Sequence, residues 1–217
     1  MLKITLVADN PRSWIVPYAK ILLQRIKLDG YRVHLVHDLS KIKRGDLAFF
    51  LGCEKIVPDT LLALHAHNLV IHESALPKGK GWSPLTWQIL QGKKTIPITL
   101  FEAEKDVDSG LIYIQERMQF RGDELVDELR HVQGMKTEEL VMRFIGMYER
   151  NPNIKGKKQK GKATFYPRRR PTDSEMDISK PLKKLFPLLR VVDNERYPAF
   201  FRYKGYKYVL KISKDNE

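Results

Sequence analysis

Apolar residues follow two alternating spacings along the first two-thirds of the chain. Ile4 to Val7 is a short continuous apolar run. Beyond it, Ile15, Tyr18, Ala19, Leu22, Leu23 and Ile26 recur at helical spacing, with Gly30 as the stop. The first run predicts a buried strand and the second a helix over 13–28. Short strands are predicted again at 32–36 and 46–51, and Asp59 is placed to cap a helix running through His67. Residues 68–72 (Asn-Leu-Val-Ile-His) read as another buried strand. A helix over 84–90 stopped by Gly92, strands at 96–102 and 111–118 and a helical stretch over 124–150 follow. Alternating strands and helices predict an α/β, Rossmann-like unit over 1–150, with a mainly parallel twisted sheet flanked by helices. Such sheets bind ligands beyond the C-terminal ends of their strands, and His72 falls at such an end.

The pattern then changes. Residues 151–162 are polar and broken by Pro and Gly, which predicts a mobile linker. Beyond it, 163–217 read as a small α+β appendage, with a helix over 180–190 and a hairpin. The hairpin strands are expected at 199–203 and 206–212, around Lys204-Gly205.

Composition narrows the function. A single cysteine, Cys53, allows no internal disulfide and no thiolate metal cluster, and favours a cytoplasmic setting with Cys53 as inert wall material. No apolar run reaches the ~18–20 residues of a membrane span, and the N-terminal run is too short for a signal peptide. The net charge of +13 suggests nucleic acid, but it is unevenly spread. Residues 1–150 carry 21 Lys and Arg against 19 Asp and Glu, and 151–217 carry 18 against 7. The basic character belongs to the tail, which argues against a broad nucleic-acid surface. A homodimer is compatible with the sequence. The other histidines, 34, 37, 65, 67 and 131, sit among surface-like polar residues. None of their spacings suits a metal, so no metal is expected.

The candidate chemistry lies in His72-Glu73-Ser74-Ala75-Leu76-Pro77-Lys78-Gly79-Lys80-Gly81, with Asp108-Ser109-Gly110 downstream. An imidazole at a strand end and a carboxylate beyond a neighbouring strand make a base with its orienting partner. This ordered set resembles the folate-dependent formyltransferases, whose motif runs Asn-x-His-x-Ser-x-Leu-Pro, then Arg/Lys-Gly, then Asp-x-Gly. The resemblance covers roughly 1–120 and, more loosely, 164–212, where Tyr197-Pro198-Ala199-Phe200-Phe201 is similar to a Pro-Gly-Ala-Phe segment of sugar N-formyltransferases.

The resemblance implies that 10-formyltetrahydrofolate is the cofactor and that His72 is the base, oriented by Asp108 at the far ring nitrogen. It implies a folate pocket walled by Leu51, Gly52, Cys53 and Ile56 on one side, and by the loop from Glu102 to Asp108 on the other. The chain departs from the motif at Val70, where the family carries asparagine. Asn68 shares the strand face but lies about 13 Å from His72, so only a bulge would bring it closer. Oxyanion stabilisation then falls to imidazolium, a backbone N–H or water.

On the substrate side, Asn10, Arg12, Ser13 and Trp14 occupy the turn after the first strand, where the family's purine branch has a Gly-rich phosphate loop that this chain lacks. Ser74 and Trp82 are expected at the same cleft. Arg168, Arg169, Arg170, Asn194 and Arg196 offer groups for a diphosphate. The resemblance is thus to enzymes that formylate the amino group of a nucleotide-linked amino sugar. Two alternatives stay open. One is a methionyl-tRNA formyltransferase, whose expected C-terminal β-barrel is longer than anything after Lys162. The other is a non-catalytic member of the fold that binds a nucleotide or a partner protein.

Overall fold

Six strands form the central sheet of the computed structural model, which describes residues 1–215. In chain order the elements are β1 (Lys3–Val7), α1 (Val16–Leu28), β2 (Arg32–Val36), β3 (Leu47–Phe50), α2 (Asp59–Leu62), β4 (His67–His72), β5 (Lys80–Gly81), α3 (Pro84–Leu90), β6 (Thr95–Glu102), β7 (Ile112–Gln119), α4 (Val126–Arg150), β8 (Phe165–Tyr166), α5 (Leu182–Val191), β9 (Ala199–Tyr203) and β10 (Tyr206–Leu210). The sheet order is β2-β1-β3-β4-β6-β7. The first three pairings are parallel and the last two antiparallel, so β6 runs against the other five strands. The expected mainly parallel, Rossmann-like sheet is what forms.

The reversal of β6 has a local cause. A parallel crossover takes a dozen or more residues, usually in a helix. The seven residues of α3 rise only about 10 Å. Residues 73–83 of the connection are spent on the turn beyond β4, so little beyond this short helix is left to carry the chain back, and β6 enters beside the C-terminal end of β4, with Thr99 opposite His72.

One sheet face packs against α1 and α4 through a single apolar cluster that includes Leu22, Ile26, Phe49, Leu69, Leu140 and Phe144. Full burial of each such side chain stabilises the fold by about 1.5–3 kcal/mol. The opposite face carries Val7, Val36, Ala48 and Phe50 and is covered by loops and α2.

Three boundaries differ from expectation. Helix α1 begins at Val16 because Pro17 has no N–H to give the Ser13 carbonyl; residues 10–15 form turns instead. Helix α2 is only Asp59–Leu62, with Pro58 at the N-cap and no side-chain cap, so Asp59 is not the cap. The amides of Ala66 and His67 both turn to the Asp46 carbonyl, which starts β4 early.

Residues 151–162 do not behave as a free linker. Lys157 exchanges both backbone hydrogen bonds with Ile112, and β8 then pairs in parallel with β5. The appendage forms as expected, with α5 and the β9–β10 hairpin turning at Lys204 and Gly205, both at positive φ. The last two residues of the 163–217 unit lie outside the described residues. Buried Arg190 fastens α5 to the start of α4, donating to the Glu124 carboxylate at 2.9 Å and to its carbonyl at 3.0 Å. No helix among the described residues is long and apolar enough to cross a membrane.

Three histidines read as surface residues are structural. His67 pairs with Glu102 at 2.9 Å, beneath Tyr113 and Phe144. His65 is buried, and the Thr5 hydroxyl lies between its Nε2 (3.0 Å) and that of His34 (3.3 Å). A hydroxyl has one hydrogen, so it can donate to only one of the two rings, and the ring that accepts it must be neutral. Burial pushes both histidines below 6.5. Below pH 6.5 the unfolded chain therefore takes up protons that the folded chain refuses, and stability falls with pH from there toward the folded values. The drop in Tm between pH 7.5 and pH 5.5 should be smaller in a His34→Asn/His65→Gln double variant than in the wild type. Equal drops would remove this pair as a source of acid sensitivity.

Candidate active site

A cleft of 630 Å³ lies across the carboxyl ends of β1, β3 and β4, where the strand order reverses between β1 and β3. The turn after β1 brings Asn10, Ser13 and Trp14 to it; the loop after β3 brings Leu51, Gly52 and Cys53; the end of β4 brings His72 and Glu73.

His72 is buried, and its Nε2 lies 2.8 Å from the Gly79 carbonyl oxygen. A carbonyl only accepts, so Nε2 carries the hydrogen and Nδ1 holds the lone pair. The nearest Asp108 oxygen is 3.7 Å from the same Nε2 and accepts the Gly81 amide at 2.8 Å. The pairing of His72 with Asp108 thus forms as a charge contact. The ring is oriented by Gly79 and not, as expected, by a carboxylate hydrogen bond. Both side chains are nearly enclosed, at 9% and 12% exposure. Charge interactions at such sites exceed their value in water.

The segment after α4 holds this arrangement from outside. Gln159 Nε2 donates to the carbonyls of Asp108 (2.9 Å) and Gly110 (3.0 Å), pinning a loop in which Asp108 takes φ 53°. Thr164 accepts the Gly79 amide through its hydroxyl and the Lys80 amide through its carbonyl. Gly81, at φ 95°, must be glycine, since a Cβ there would sit 2.5 Å from the Tyr166 carbonyl oxygen.

The cleft walls are of two kinds. Phe50, Leu51, Cys53, Val57, Leu62, Val70 and Phe101 make an apolar slot, with Ile56 and Val107 exposed at its lip. Burial pushes the Cys53 thiol up to about 12, and its Sγ donates to the Val7 carbonyl, so it serves as wall. The other wall is cationic, with Arg130, Arg168, Arg169, Arg170 and Arg196. Arg168 stacks on Trp82 at 4.4 Å and pairs with Glu54, which also accepts from Asn10. Arg169 is half-buried; its Nη2 donates to the Asp173 carbonyl and the Ser174 hydroxyl, its Nε has no partner among the described residues, and burial pushes its guanidinium pKa down.

Four expected site residues fall elsewhere. Glu102 turns away from the cleft and accepts from His67, Tyr113 and the Asn68 amide. Arg12 is exposed outside the cleft, and Ser74 is buried beneath the turn. Asn194 makes two hydrogen bonds to Ile212 and anchors the end of the hairpin. Asn68 stays in regular register at the far end of β4 and donates to the Leu62 carbonyl.

Glu73, Arg130 and Gln133 were not anticipated. On α4, Val126, Leu129, Arg130, Gln133 and Thr137 line the cleft at helical spacing. Two polar residues in register with an apolar stripe were the available signal. Among the described residues, no group of three or more His, Cys, Asp or Glu side chains is arranged to hold a metal ion.

The family model described as formyl transferase matches residues 28–143, more than half of the chain. A methionyl-tRNA formyltransferase from Thermodesulfovibrio yellowstonii is 25% identical over 155 residues, covering 70% of this chain and 50% of that enzyme, so the chain spans half the length of that curated relative. A solved methionyl-tRNA formyltransferase from Clostridium thermocellum superposes with a TM-score of 0.80 at 21% identity, covering 100% of this chain and 95% of that one. A sugar N-formyltransferase from Shewanella sp. FDAARGOS_354 superposes with a TM-score of 0.70 at 16% identity, covering 99% and 98%. At these identities the structural likenesses establish a shared fold.

The clamp on the Asp108 loop has a direct readout. Gln159→Ala leaves two carbonyls unpaired and frees Asp108, so the Gly81 amide that it accepts should lose hydrogen-exchange protection by about tenfold, the equivalent of one hydrogen bond. Unchanged protection at Gly81 would show that the loop holds itself.

Proposed function

The chain belongs to the formyl transferase family, and from that premise we propose that it moves a formyl group from 10-formyltetrahydrofolate to the amino group of a nucleotide-linked amino sugar. The family takes its formyl group from this folate. The apolar slot suits it, since a flat pteridine needs apolar walls and backbone partners more than charge. Leu51, Gly52, Cys53 and Ile56 would line one side of it, and the loop from Ala103 to Asp108 the other. When bound, the cofactor supplies a formyl carbon already activated on nitrogen.

The chain's own groups then manage one proton and one charge. His72 takes the proton of the attacking amine at Nδ1, the nitrogen that accepts no hydrogen bond from another described residue, and would return it to the nitrogen that leaves the formyl carbon. The Gly79 carbonyl keeps the opposite proton in place. Asp108, 3.7 Å away, stabilises the imidazolium that results. Val70 supplies no amide to the formyl oxygen, and the imidazolium would stabilise the charge there.

One observation carries the choice of acceptor: the tail returns Arg168, Arg169 and Arg170 to the cleft that His72 lines, where Arg169 holds an unpartnered buried nitrogen. Guanidinium groups converging in a pocket suit a diphosphate. Trp14 and Trp82 offer aromatic surface beside them. The rival acceptor, a charged initiator tRNA, is favoured by the similarity to methionyl-tRNA formyltransferases.

The test is transfer of labelled formyl from 10-formyltetrahydrofolate to a panel of nucleotide-linked aminodeoxyhexoses and to methionyl initiator tRNA. Labelled sugar is expected, with His72→Ala lowering kcat by roughly 100- to 10,000-fold and Asn68→Ala by less than about tenfold because of its distance along the strand. Labelled tRNA with no labelled sugar would move the assignment to the rival. Near wild-type rates in His72→Ala would sink the mechanism.

A further inference from the structure

Neighbouring residues at the end of a strand leave the sheet on opposite faces. His72 continues the face of Val70, toward the apolar slot. Glu73 continues the face of Leu69 and Ile71, toward α4 and the wall that carries the arginines. The two adjacent residues therefore serve different halves of one cleft.

Glu73 is held with care. Gln133 Nε2 donates to its Oε1 at 2.6 Å, and Gln88 Nε2 holds its backbone carbonyl at 2.6 Å. Its own backbone N–H also favours the carboxylate, and no other described residue donates to its second oxygen. The side chain is buried, at 8% exposure, yet it lines the cleft. That oxygen keeps lone pairs able to accept from a ligand in the cleft.

Resting on the acceptor assigned above, we propose that Glu73 is a specificity-determining residue whose free carboxyl oxygen holds the amino group of the acceptor and distinguishes it from a hydroxyl. Bound as ammonium, the amine brings that oxygen a charged N–H, an opposite charge that a hydroxyl lacks. Burial pushes the Glu73 pKa up, His72 and the Gln133 hydrogen bond oppose the rise, and a cationic amine arriving at the free oxygen would favour the carboxylate further. No covalent step falls to Glu73; an amine bound as ammonium gives one proton to water before it attacks and a second to His72 as it does.

Glu73→Gln separates this role from a structural one, because glutamine keeps the volume and still accepts from Gln133. The experiment measures calorimetric binding of a dTDP- or UDP-linked aminodeoxyhexose that the wild type formylates. The same measurement is made on the counterpart with hydroxyl in place of the amine, together with KM for each substrate and Tm. Glu73→Gln should weaken the amino compound and raise its KM by roughly 10- to 100-fold, the worth of a hydrogen bond to a charged group. Affinity for the hydroxyl compound, KM for 10-formyltetrahydrofolate and Tm should stay near wild type. Equal losses for both compounds, or none for either, would overturn the assignment alone. A wild type that formylates no sugar of the panel would overturn the acceptor reading and this assignment with it.

Discussion

The site rests on how the turn after β4 is closed. The chain leaves the sheet at His72, loops through seven residues and returns the Gly79 carbonyl to His72 Nε2 at 2.8 Å. Two residues later the Gly81 amide is taken by Asp108, which arrives from the far side of β6. One backbone acceptor and one backbone donor thus bring together an imidazole and a carboxylate 36 positions apart. Neither bond is strong alone, at about 0.5–1.5 kcal/mol net. Their effect is geometric, because they leave His72 one free nitrogen and Asp108 one fixed distance. The tail segment is what keeps the loop in place, through Gln159 on one side and Thr164 on the other.

That tail gives the basic C-terminal third a physical meaning. Its lysines at 155, 157, 158, 160 and 162 ride on the outside of the strap or at its edges. Its arginines at 168, 169 and 170 are carried into the cleft by the β5–β8 pairing. Positioning and binding are therefore coupled: the segment that fastens the Asp108 loop continues directly into the cationic wall. The apolar slot and the cationic wall meet at His72 and Glu73, so chemistry takes place at the seam between a site for a flat apolar ligand and one for an anion.

Much of this architecture was legible in the sequence, and the failures have common causes. The six strands of the central sheet, α1, α5 and the hairpin announced themselves through apolar spacing and Lys204-Gly205, while the short β5 and β8 did not. His72 at a strand end, with Asp108 downstream, was placed correctly as a neighbouring pair. The reversal of β6 was not legible, because the apolar pattern of a buried strand is the same in either direction. Residues 151–162 read as a linker because the contacts that tie them down are backbone and polar side-chain hydrogen bonds, which leave no hydrophobic signature. Glu102 sits in the expected segment, yet points to the opposite face because strand parity assigns it to His67 and Tyr113. Asn194 and Arg12 carried suitable chemistry but were spent on a hairpin anchor and an exposed turn.

The account stands on the claim that His72 enters the reaction with its hydrogen on Nε2, directed at Gly79, and its lone pair on Nδ1. Nitrogen-15 NMR of the histidine rings at a pH where His72 is neutral reads this tautomer directly. The account predicts an Nε2–H tautomer for His72, lost or scrambled when the Asp108 loop is released by Gln159→Ala. A neutral His72 protonated on Nδ1 would contradict it, since Nε2 would then face the Gly79 carbonyl without a hydrogen and the proposed base would already be occupied.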